Sequence, residues 1–495
     1  MARFEVPEGW TVQAYMFALD PTAAQVRAFR SHAGGARKAH NTMLALVKAV
    51  MDQRAAERSY GIAESELTPS LNWSLAGLRK QWNARKDAAA PWWAENSKEA
   101  YNTGLDGLAR GLNAWSAVEK GERAGKAVGF PQFKTVRSRR SVRFTTGAIR
   151  VEASRHHVTL PRIGRVKTHE STRKLARRVE VGTGRILSAT VSEDAAGRWR
   201  VAFQVLVQRA VAVPGHVGAG ELVVGVDVGV KADSLLVVAT PDGREVARVP
   251  APKSLTAAQS RLRALQRRAA RQQGPYDTQT QTKQTPSKRW ARQQRRINRT
   301  HAQAAAIRRD VLHKQTTRLA QRHQVIVVET LNASGMRSAG GRRKKGLNRA
   351  LADAALAEIR RMLGYKTRWY GSHLVAADRW FASSKTCSGC GGRKPSLSLA
   401  ERTYVCEHCG LVIDRDLNAA INLARLGGTL HAGQTRTSTG SSPAAAATGG
   451  NGRGATQETE TTQVVNAAGR EASTRHNTSN GVDPTGTASP QGEAA

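Results

Sequence analysis

The chain has 495 residues, of which 40% are hydrophobic, and this length suits roughly two to four domains with buried cores. Lysine and arginine total 77, aspartate and glutamate total 38, and the formal net charge is +39. A surplus of this size predicts a large polyanionic partner, and nucleic acid explains it better than a membrane surface does. The sequence has no apolar run of about 18 residues and no apolar core of a signal peptide near its start. The composition therefore predicts a cytoplasmic, nucleoid-associated protein without a membrane partner.

The N-terminal part of the sequence predicts one strand, then helices, then several strands. Residues 1–19 contain the strand pattern TVQAYMFAL, and residues 20–122 are helical, with Asp20 as N-cap and Pro21 in the first turn. Residues 123–217 change to short alternating strands separated by turn residues, which is typical of a small β-barrel. We expect the opening strand to complete this barrel, with the helices inserted between its parts.

From residue 218 the predicted strands are apolar throughout, as in a sheet that helices cover on both faces. Residues 254–322 predict two very basic helices around a polar loop at 274–286. In the second helix, arginines recur at steps of three or four residues and form one basic face: Arg289, Arg292, Arg296 and Arg299. A solvated surface helix would also have such a face. Because like charges at this spacing repel one another, a facing phosphate backbone explains the pattern better.

The last segment has the composition of a disordered tail. Residues 428–495 contain no Phe, Trp or Tyr and are rich in Thr, Gly, Ala, Ser and Asn. Such a segment buries too little apolar surface to offset the entropy lost on ordering, and we expect it to be disordered.

Three acidic residues lie at apolar segments that are far apart in the sequence. Asp227 interrupts the run ELVVGVDVGV, which otherwise has the pattern of a buried strand, and Glu329 follows the apolar strand 325–328. Asp416 lies where the apolar face of a later helix begins. A buried carboxylate without a partner is costly, whereas carboxylates gathered in one pocket are the ligands that Mg²⁺ and Mn²⁺ prefer. Since two such ions about 4 Å apart are a common device for phosphodiester hydrolysis, we predict that the three acids are catalytic metal ligands.

Two alternatives stand beside this prediction. Structural carboxylates that pair with backbone groups or arginine would also explain buried acids. Asp414 competes with Asp416 for the third position, but it lies further from the apolar helical face and nearer to the cysteines. We therefore assign the third ligand to Asp416 and expect Asp414 to cap the helix or to face solvent.

All four cysteines lie in one short stretch, as Cys387-x₂-Cys390 and Cys406-x₂-Cys409, and glycine follows each pair. This spacing predicts a tetrahedral zinc site, which is structural because four thiolates leave no open position for a substrate. Two disulfides are the alternative, but cysteines clustered in this way are more typical of a metal site in a reducing compartment.

Five segments follow one another in the order VVGVDVGVKADSLLVV, VIVVETLNASGM, SSKTCSGCG, YVCEHCG and DRDLNAAINLARL. In this order they resemble the OrfB (TnpB) family of transposon-encoded RNA-guided nucleases, which are related to type V CRISPR effectors. The segments ALDPTAAQVRAFRSHAGGARKAHNTML and GFPQFK resemble the family too, and the resemblance covers about residues 10–427.

The resemblance implies a multidomain α+β protein. Its RNase-H-like (RuvC) α/β nuclease core would comprise residues 218–385 and, as third motif and final helix, residues 414–427. A zinc ribbon would be inserted at residues 386–413. The N-terminal β-barrel would be the family's wedge domain, and its inserted helices would be the recognition lobe.

The resemblance also implies an enzyme, a metal-dependent DNA endonuclease of RuvC type. It would carry a guide RNA derived from the transposon end and cut double-stranded target DNA, in support of transposon retention and transposition. The family's acidic triad, with Mg²⁺ or Mn²⁺, falls on Asp227, Glu329 and Asp416, and its zinc ligands fall on the four cysteines.

Two other functions stay open from the sequence, an RNA-guided DNA-binding regulator that does not cleave and a transposase that acts directly on transposon ends. The presence of all three acids favours cleavage. The cysteine pairs between the second and third acids favour the guided nuclease over the transposase.

Overall fold

The structure is a computed structural model that describes residues 5–123, 125–209, 222–273, 276–277, 279, 282–283, 286–338, 344–398 and 400–437. These residues form two compact units, which we name unit 1, up to Gln208, and unit 2, from Arg209. The predicted multidomain α+β class is confirmed. None of the helices in the described part of the chain has a stretch long and apolar enough to cross a lipid bilayer.

The described residues of unit 1 form seven strands, four α-helices and a short 3-10 turn. The strands are β1 (Trp10–Asp20), β2 (Ser141–Phe144), β3 (Arg150–Val151), β4 (His157–Leu160), β5 (Gly164–Thr168), β6 (Gly184–Glu193) and β7 (Trp199–Gln208). The helices are α1 (Ala23–Ser59), α2 (Leu75–Ala89), α3 (Lys98–Glu119) and α4 (Arg173–Glu180), and the 3-10 turn is Trp93–Glu95.

The strands of unit 1 form one sheet in the order β2-β6-β7-β1-β5-β4-β3. β1 pairs antiparallel with β7 over residues 10–18 and with β5 over residues 19–20. The opening strand thus lies in the middle of a sheet whose other strands follow α3 in the sequence. Helix α1 packs on this sheet through Phe29, whose ring centroid lies 4.8 Å from that of Trp199 on β7.

Helix α1 begins later than the sequence predicted. Its N-cap is Thr22 and not Asp20: Thr22 Oγ1 accepts a hydrogen bond from Gln25 N at 3.3 Å, and Gln25 Oε1 accepts one from Thr22 N at 3.0 Å. This capping box satisfies two backbone N–H groups at the helix start, which an aspartate further back would leave unpaired. Asp20 is the last residue of β1, and Pro21 precedes the helix.

The described residues of unit 2 form nine strands and seven helices. The strands are β8 (Val223–Val228), β9 (Leu236–Ala239), β10 (Glu245–Val249), β11 (Tyr276–Asp277), β12 (Thr282–Lys283), β13 (Val325–Val328), β14 (His373–Ala376), β15 (Thr403–Val405) and β16 (Val412–Asp414). The helices are α5 (Ser254–Ala257), α6 (Gln259–Gln272), α7 (Lys288–Arg322), α8 (Ala333–Ser338), α9 (Lys345–Ala354), α10 (Leu356–Tyr370) and α11 (Arg415–Thr437).

The main sheet of unit 2 has five strands in the order β10-β9-β8-β13-β14. β8, β13 and β14 are parallel, whereas β9 and β10 extend the sheet in antiparallel fashion. Helices α7 and α10 cover one face with residues such as Leu319 and Met362, and α11 covers the other with Ala420 and Leu423. Because both faces are covered, these strands are apolar throughout and do not alternate with polar residues.

Gly225 in β8 allows α11 to lie directly against the sheet. A Cβ atom at this position would lie 2.0 Å from the carbonyl oxygen of Ala420 and 2.4 Å from the backbone nitrogen of Ala424, both in α11. No other residue fits there unless the helix backbone moves. The close approach matters for the acids because Asp227 lies two residues after Gly225 and Asp416 lies about one turn before Ala420.

The C-terminal part differs from the prediction. Helix α11 runs to Thr437, so residues 428–437 are helical although the sequence predicted disorder from residue 428. The packed first part of the helix supplies the nucleus, and further turns add to an existing helix at little cost. The rest of the predicted tail, the predicted boundary at residues 217 and 218, and most of the loop at 274–286 lie outside the described residues.

Candidate active site and metal centre

The three predicted acids come together at one end of the unit 2 sheet. Asp227 lies in β8, and Glu329 directly follows β13. The parallel register pairs Val226 with Val328, and the residues that follow, Asp227 and Glu329, are therefore neighbours on adjacent strands. Asp416 lies in the first turn of α11, with only 5% of its surface exposed. Three elements that are distant in the sequence thus bring their carboxylates to one place.

The acids influence one another electrostatically. Burial raises the pKa of Asp227 well above its ordinary value, and the negative charges of Glu329 and Asp416 raise this pKa further. The positive charges of Arg415 and Lys231 act in the opposite direction. Carboxylates that repel one another in a buried place are characteristic of sites that bind a cation or share a proton.

Asp416 is oriented by the loop between β8 and β9. Ser234 Oγ donates a hydrogen bond to Asp416 Oδ2 at 3.0 Å, and Lys231 Nζ lies 2.5 Å from the same oxygen. Arg415 Nε lies 3.6 Å from Asp416 Oδ1. The third acid is therefore held by a loop that begins beside the first acid, Asp227.

Glu329 is oriented by the segment that follows β14. Ser383 Oγ donates a hydrogen bond to Glu329 Oε1. Two hydrogen bonds fix the start of this segment to the end of β13. Ala377 N donates to Val328 O at 2.9 Å, and Thr330 Oγ1 donates to Ala377 O at 2.7 Å. The position of the second acid thus depends on the chain between β14 and the first cysteine pair.

Lys231, Ser234 and Ser383 are site residues that the sequence did not predict. Each lies in a loop, where lysine and serine are common, and its role depends on a carboxylate far away in the sequence. Their closeness in sequence to predicted site residues was the available signal, since VGVKADS directly follows Asp227 and Ser383 lies shortly before Cys387.

Asp414 caps α11 and lies outside the group of three acids. Its Oδ1 accepts hydrogen bonds from the backbone nitrogens of Asp416 and Leu417, both at 3.0 Å, and Arg248 Nη2 lies 3.3 Å from the same oxygen. Burial raises the pKa of Asp414, but the Leu417 N–H and the Arg248 guanidinium outweigh this effect and leave that pKa below its usual value. A carboxylate in this place stabilises the helix start.

The four cysteine sulfurs form one cluster, in which all ligand atoms lie within 4.8 Å of one another. Cys387 Sγ lies 3.6 Å from Cys409 Sγ, and Cys390 Sγ lies 3.6 Å from Cys406 Sγ. Tetrahedral zinc with bonds of about 2.3 Å separates its sulfurs by about 3.8 Å, whereas a disulfide bond is about 2.05 Å long. The cysteines are free, and the cluster could hold a metal ion.

Among the residues that the structure describes, this is the only group of three or more His, Cys, Asp or Glu side chains with ligand atoms so close together. The three acids are spread more widely. Their arrangement therefore differs from the closed, four-ligand cluster of the cysteines.

Each cysteine pair lies in a tight turn that glycine closes. Gly391 and Gly410 adopt φ of 78° and 72°, in the left-handed region that glycine favours. Gly391 N donates to Cys387 O at 3.0 Å, and Gly410 N donates to Cys406 O at 3.1 Å. The turns direct both sulfurs of each pair toward the same point.

Two asparagines of α11 tie the cysteine cluster to the acid site. Asn418 Nδ2 donates to Thr386 O at 2.7 Å, and Asn418 Oδ1 accepts from Ser388 N at 2.8 Å. Asn422 Nδ2 donates to Ser383 O at 2.8 Å and to Thr386 O at 2.7 Å. Helix α11, which carries Asp416, thus holds the segment directly before the first cysteine pair. This is the segment whose Ser383 orients Glu329.

The predicted basic face is exposed on α7. Its four arginines, at positions 289, 292, 296 and 299, are all exposed, whereas Gln293, Ile297 and Thr300 on the other side of the helix are buried. The buried side packs on α6 through a cluster that contains Leu262 and Ala269. Residues 254–322 thus contain two long basic helices, as predicted, and in addition the short helix α5.

Three family models match the chain. The model described as "Probable transposase" matches residues 204–339, the model "Cas12f1-like, TNB domain" matches residues 357–423, and the model "Helix-turn-helix domain" matches residues 11–55. Together, the residues matched by the first two models include all three predicted acids and all four cysteines. Over the third, the structure has β1 and one continuous helix, α1.

A protein of Mycobacterium tuberculosis (strain CDC 1551 / Oshkosh), described as "Putative RNA-guided DNA endonuclease MT2953", is 42% identical over 438 residues, which cover 86% of this chain and 88% of that protein. The chain belongs to the OrfB (TnpB) family. The resemblance found in the sequence is thereby confirmed. InsQ of Escherichia coli (strain K12), which has the same description, is 29% identical over 427 residues, or 84% of this chain and 92% of its own length.

Proposed function

We propose that this protein is a transposon-associated, RNA-guided DNA endonuclease that cuts target DNA by two-metal-ion hydrolysis. The observation that carries the proposal is the meeting of Asp227, Glu329 and Asp416 from β8, the end of β13 and the start of α11. The names of the relatives, which span nearly the whole chain, support the same kind of function.

The donor set fits divalent cations that prefer oxygen ligands. Three carboxylates face two cationic side chains, Lys231 and Arg415, and the pKa of Asp227 is raised by burial and by its acidic neighbours. A surplus of negative charge in a buried place attracts Mg²⁺ or Mn²⁺, which Asp227, Glu329 and Asp416 would hold. When bound, such ions make water a better nucleophile and stabilise the leaving oxygen of a phosphodiester.

The other residues of the site keep the carboxylates in position. Ser234 donates a hydrogen bond to Asp416 Oδ2 and Ser383 donates one to Glu329 Oε1, so that each serine fixes one oxygen of its carboxylate. Lys231 adds a positive charge in contact with Asp416, and a lysine in this place also suits an incoming phosphate. The site is thereby prepared to orient a phosphodiester before it reacts.

We assign the cysteine cluster to a structural zinc ion, because four thiolates leave no open coordination position. The cluster lies in the part of the chain that the TNB-domain model matches. Through Asn418 and Asn422, its role would be to hold Ser383 and the start of α11 in place.

We assign the sequence specificity to a guide RNA from the transposon end, which pairs with one strand of the double-stranded target. The charge of +39 suits a protein that holds an RNA and a heteroduplex by their backbones. The exposed arginines of α7 and the basic helix α6 beside it offer one such surface. The sheet of unit 1 would correspond to the family's wedge domain, its helices to the recognition lobe, and the main sheet of unit 2 to the RuvC core.

Replacing the four exposed arginines of α7, at positions 289, 292, 296 and 299, with glutamine is expected to weaken RNA binding. The slope of log K against log salt should become shallower by about 0.7 to 0.9 for each phosphate that the variant no longer neutralises. Binding titrations at several salt concentrations measure both effects. Four glutamines in place of the basic residues of α4 are the charge-matched control, and equally weakened binding in both variants would contradict a specific role for α7.

The proposal as a whole is tested with protein that has been treated with RNase during purification. We expect such protein not to cut a plasmid target, and we expect defined guide RNA with Mg²⁺ to restore the cut. A protein that binds the guided target without cutting it would be a regulator. Cutting without RNA, confined to transposon ends, would identify a transposase.

A further inference from the structure

The large aromatic side chain of Trp380 lies in solvent, and 79% of the surface of this residue is exposed. It lies in the segment between β14 and the first cysteine pair. The next residue, Phe381, packs with Val327 and Leu423 between the sheet and α11. A single exposed apolar residue is common and needs no explanation by itself. The ordered turn that carries Trp380, the cation next to it and its position near the acids distinguish it from such a residue.

The segment around Trp380 is fixed by hydrogen bonds. Trp380 N donates to Asp378 Oδ1 at 2.7 Å, and Phe381 N donates to Asp378 O at 3.1 Å. Ala377, at the start of the segment, is bound to Val328 at the end of β13. Because the turn is already ordered, a ligand that packs on the ring would cost little additional conformational entropy.

A cation accompanies the ring. The Cζ atom of Arg379 lies 5.2 Å from the centroid of the Trp380 ring. Because this guanidinium lies over one face of the ring, a nucleotide would stack its base on the opposite face and pair a phosphate with the arginine. The net charge of +39 favours the same class of ligand.

Trp380 also lies close to the proposed active site. Ser383, whose hydroxyl donates to Glu329, is three residues further along the chain. Three residues span at most about 11 Å, and a stacked strand rises about 3.4 Å per nucleotide. Since about 11 Å is the limit between the two Cα atoms and the tryptophan side chain extends beyond it, a base at Trp380 would lie a few nucleotides from Ser383, beside Glu329.

We propose that Trp380, together with Arg379, is a stacking platform for a base of the single DNA strand that enters the acid site. This inference rests on the proposed nuclease function and adds a substrate-binding residue to it. Paired bases in a duplex are stacked on one another, so a side chain of this kind selects an unpaired strand. Stacking would fix the strand so that a phosphate a few nucleotides away lies among the carboxylates.

The test uses the purified full-length protein with its RNA and a single-stranded DNA oligonucleotide. The oligonucleotide carries 2-aminopurine, whose fluorescence falls when it stacks, at one position after another. Without added divalent ions, we expect quenching at one or two positions. Trp380→Ala should abolish this quenching and weaken strand affinity about 10- to 100-fold, and Trp380→Phe should restore most of both.

Tyr60→Ala is the matched control, because Tyr60 in unit 1 is a similarly exposed aromatic side chain, at 84%. It should change neither the quenching nor the affinity. Since Trp380 is exposed, its alanine variant should keep the melting temperature of the wild type.

Unchanged quenching and affinity in Trp380→Ala would overturn the stacking platform, and so would a wild-type protein that does not bind the strand. A different result would overturn the proposed nuclease function. A wild-type protein that quenches the probe at Trp380 but never cuts DNA would overturn the nuclease and leave the platform standing.

Discussion

Alanine in place of Asp227, Glu329 or Asp416 is expected to abolish Mg²⁺-dependent DNA cleavage while RNA binding stays nearly unchanged. Each replacement removes an oxygen ligand from the proposed metal site. Loss of several kcal/mol of transition-state stabilisation corresponds to a cleavage rate at least about 1000-fold lower. Cleavage rates under single-turnover conditions, measured beside RNA affinity, separate loss of chemistry from loss of the guide.

Asp414→Asn is the matched control for these variants. Asparagine can still accept the hydrogen bonds that cap α11, and Asp414 lies outside the group of three acids. We therefore expect this variant to cut at nearly the wild-type rate. Normal cutting by Asp416→Ala together with loss of cutting in Asp414→Asn would show that the third ligand is wrongly assigned.

Replacing Cys406 with serine is expected to remove the bound zinc and to unfold the cysteine segment. Zinc binding contributes on the order of 10 kcal/mol to the folding of small zinc domains. We expect cleavage to be lost as well, because Asn418 and Asn422 bind the segment that positions Ser383. Elemental analysis should find one zinc per chain in the wild type and none in the variant.

His408→Ala is the control, since His408 lies between two cysteines in the sequence but is not part of the cluster. It should keep its zinc and its activity. Freshly purified wild-type protein without zinc would refute the assignment, whatever the variants do.

The acids and cysteines could be found in the sequence because their signals are local. Asp227 interrupts an apolar strand and Glu329 ends one, and the ends of neighbouring parallel strands meet at the same edge of a sheet. The spacing of the cysteines likewise follows from the geometry of one tetrahedral ion. In each case a short stretch of sequence carries the constraint.

The residues that position the acids could not be found in this way. Ser234 and Ser383 act through carboxylates that are distant in the sequence, so the fold alone determines which oxygen each of them meets. Asn418 and Asn422 lie in a helix, and nothing in the sequence indicates that their side chains bind another segment. Only the fold shows that both of them donate to Thr386 O, directly before Cys387.

Helix limits were wrong for a related reason. Asp20 and Thr22 are both good N-caps, and the pairing of β1 up to Asp20 decides between them. At the other end, composition predicted disorder from residue 428, but α11 is nucleated by packing against the sheet and continues to Thr437.

The central claim is that base pairing with a bound RNA decides where this protein cuts. In the most direct measurement, RNase-treated protein receives one of two guide RNAs that match different sites of the same plasmid. The cut ends are then mapped by sequencing. We predict that the cut moves from one matching site to the other when the guide is exchanged, and that Asp227→Ala cuts at neither. A cut that stays at the same position with both guides, or that forms without any RNA, would contradict the claim.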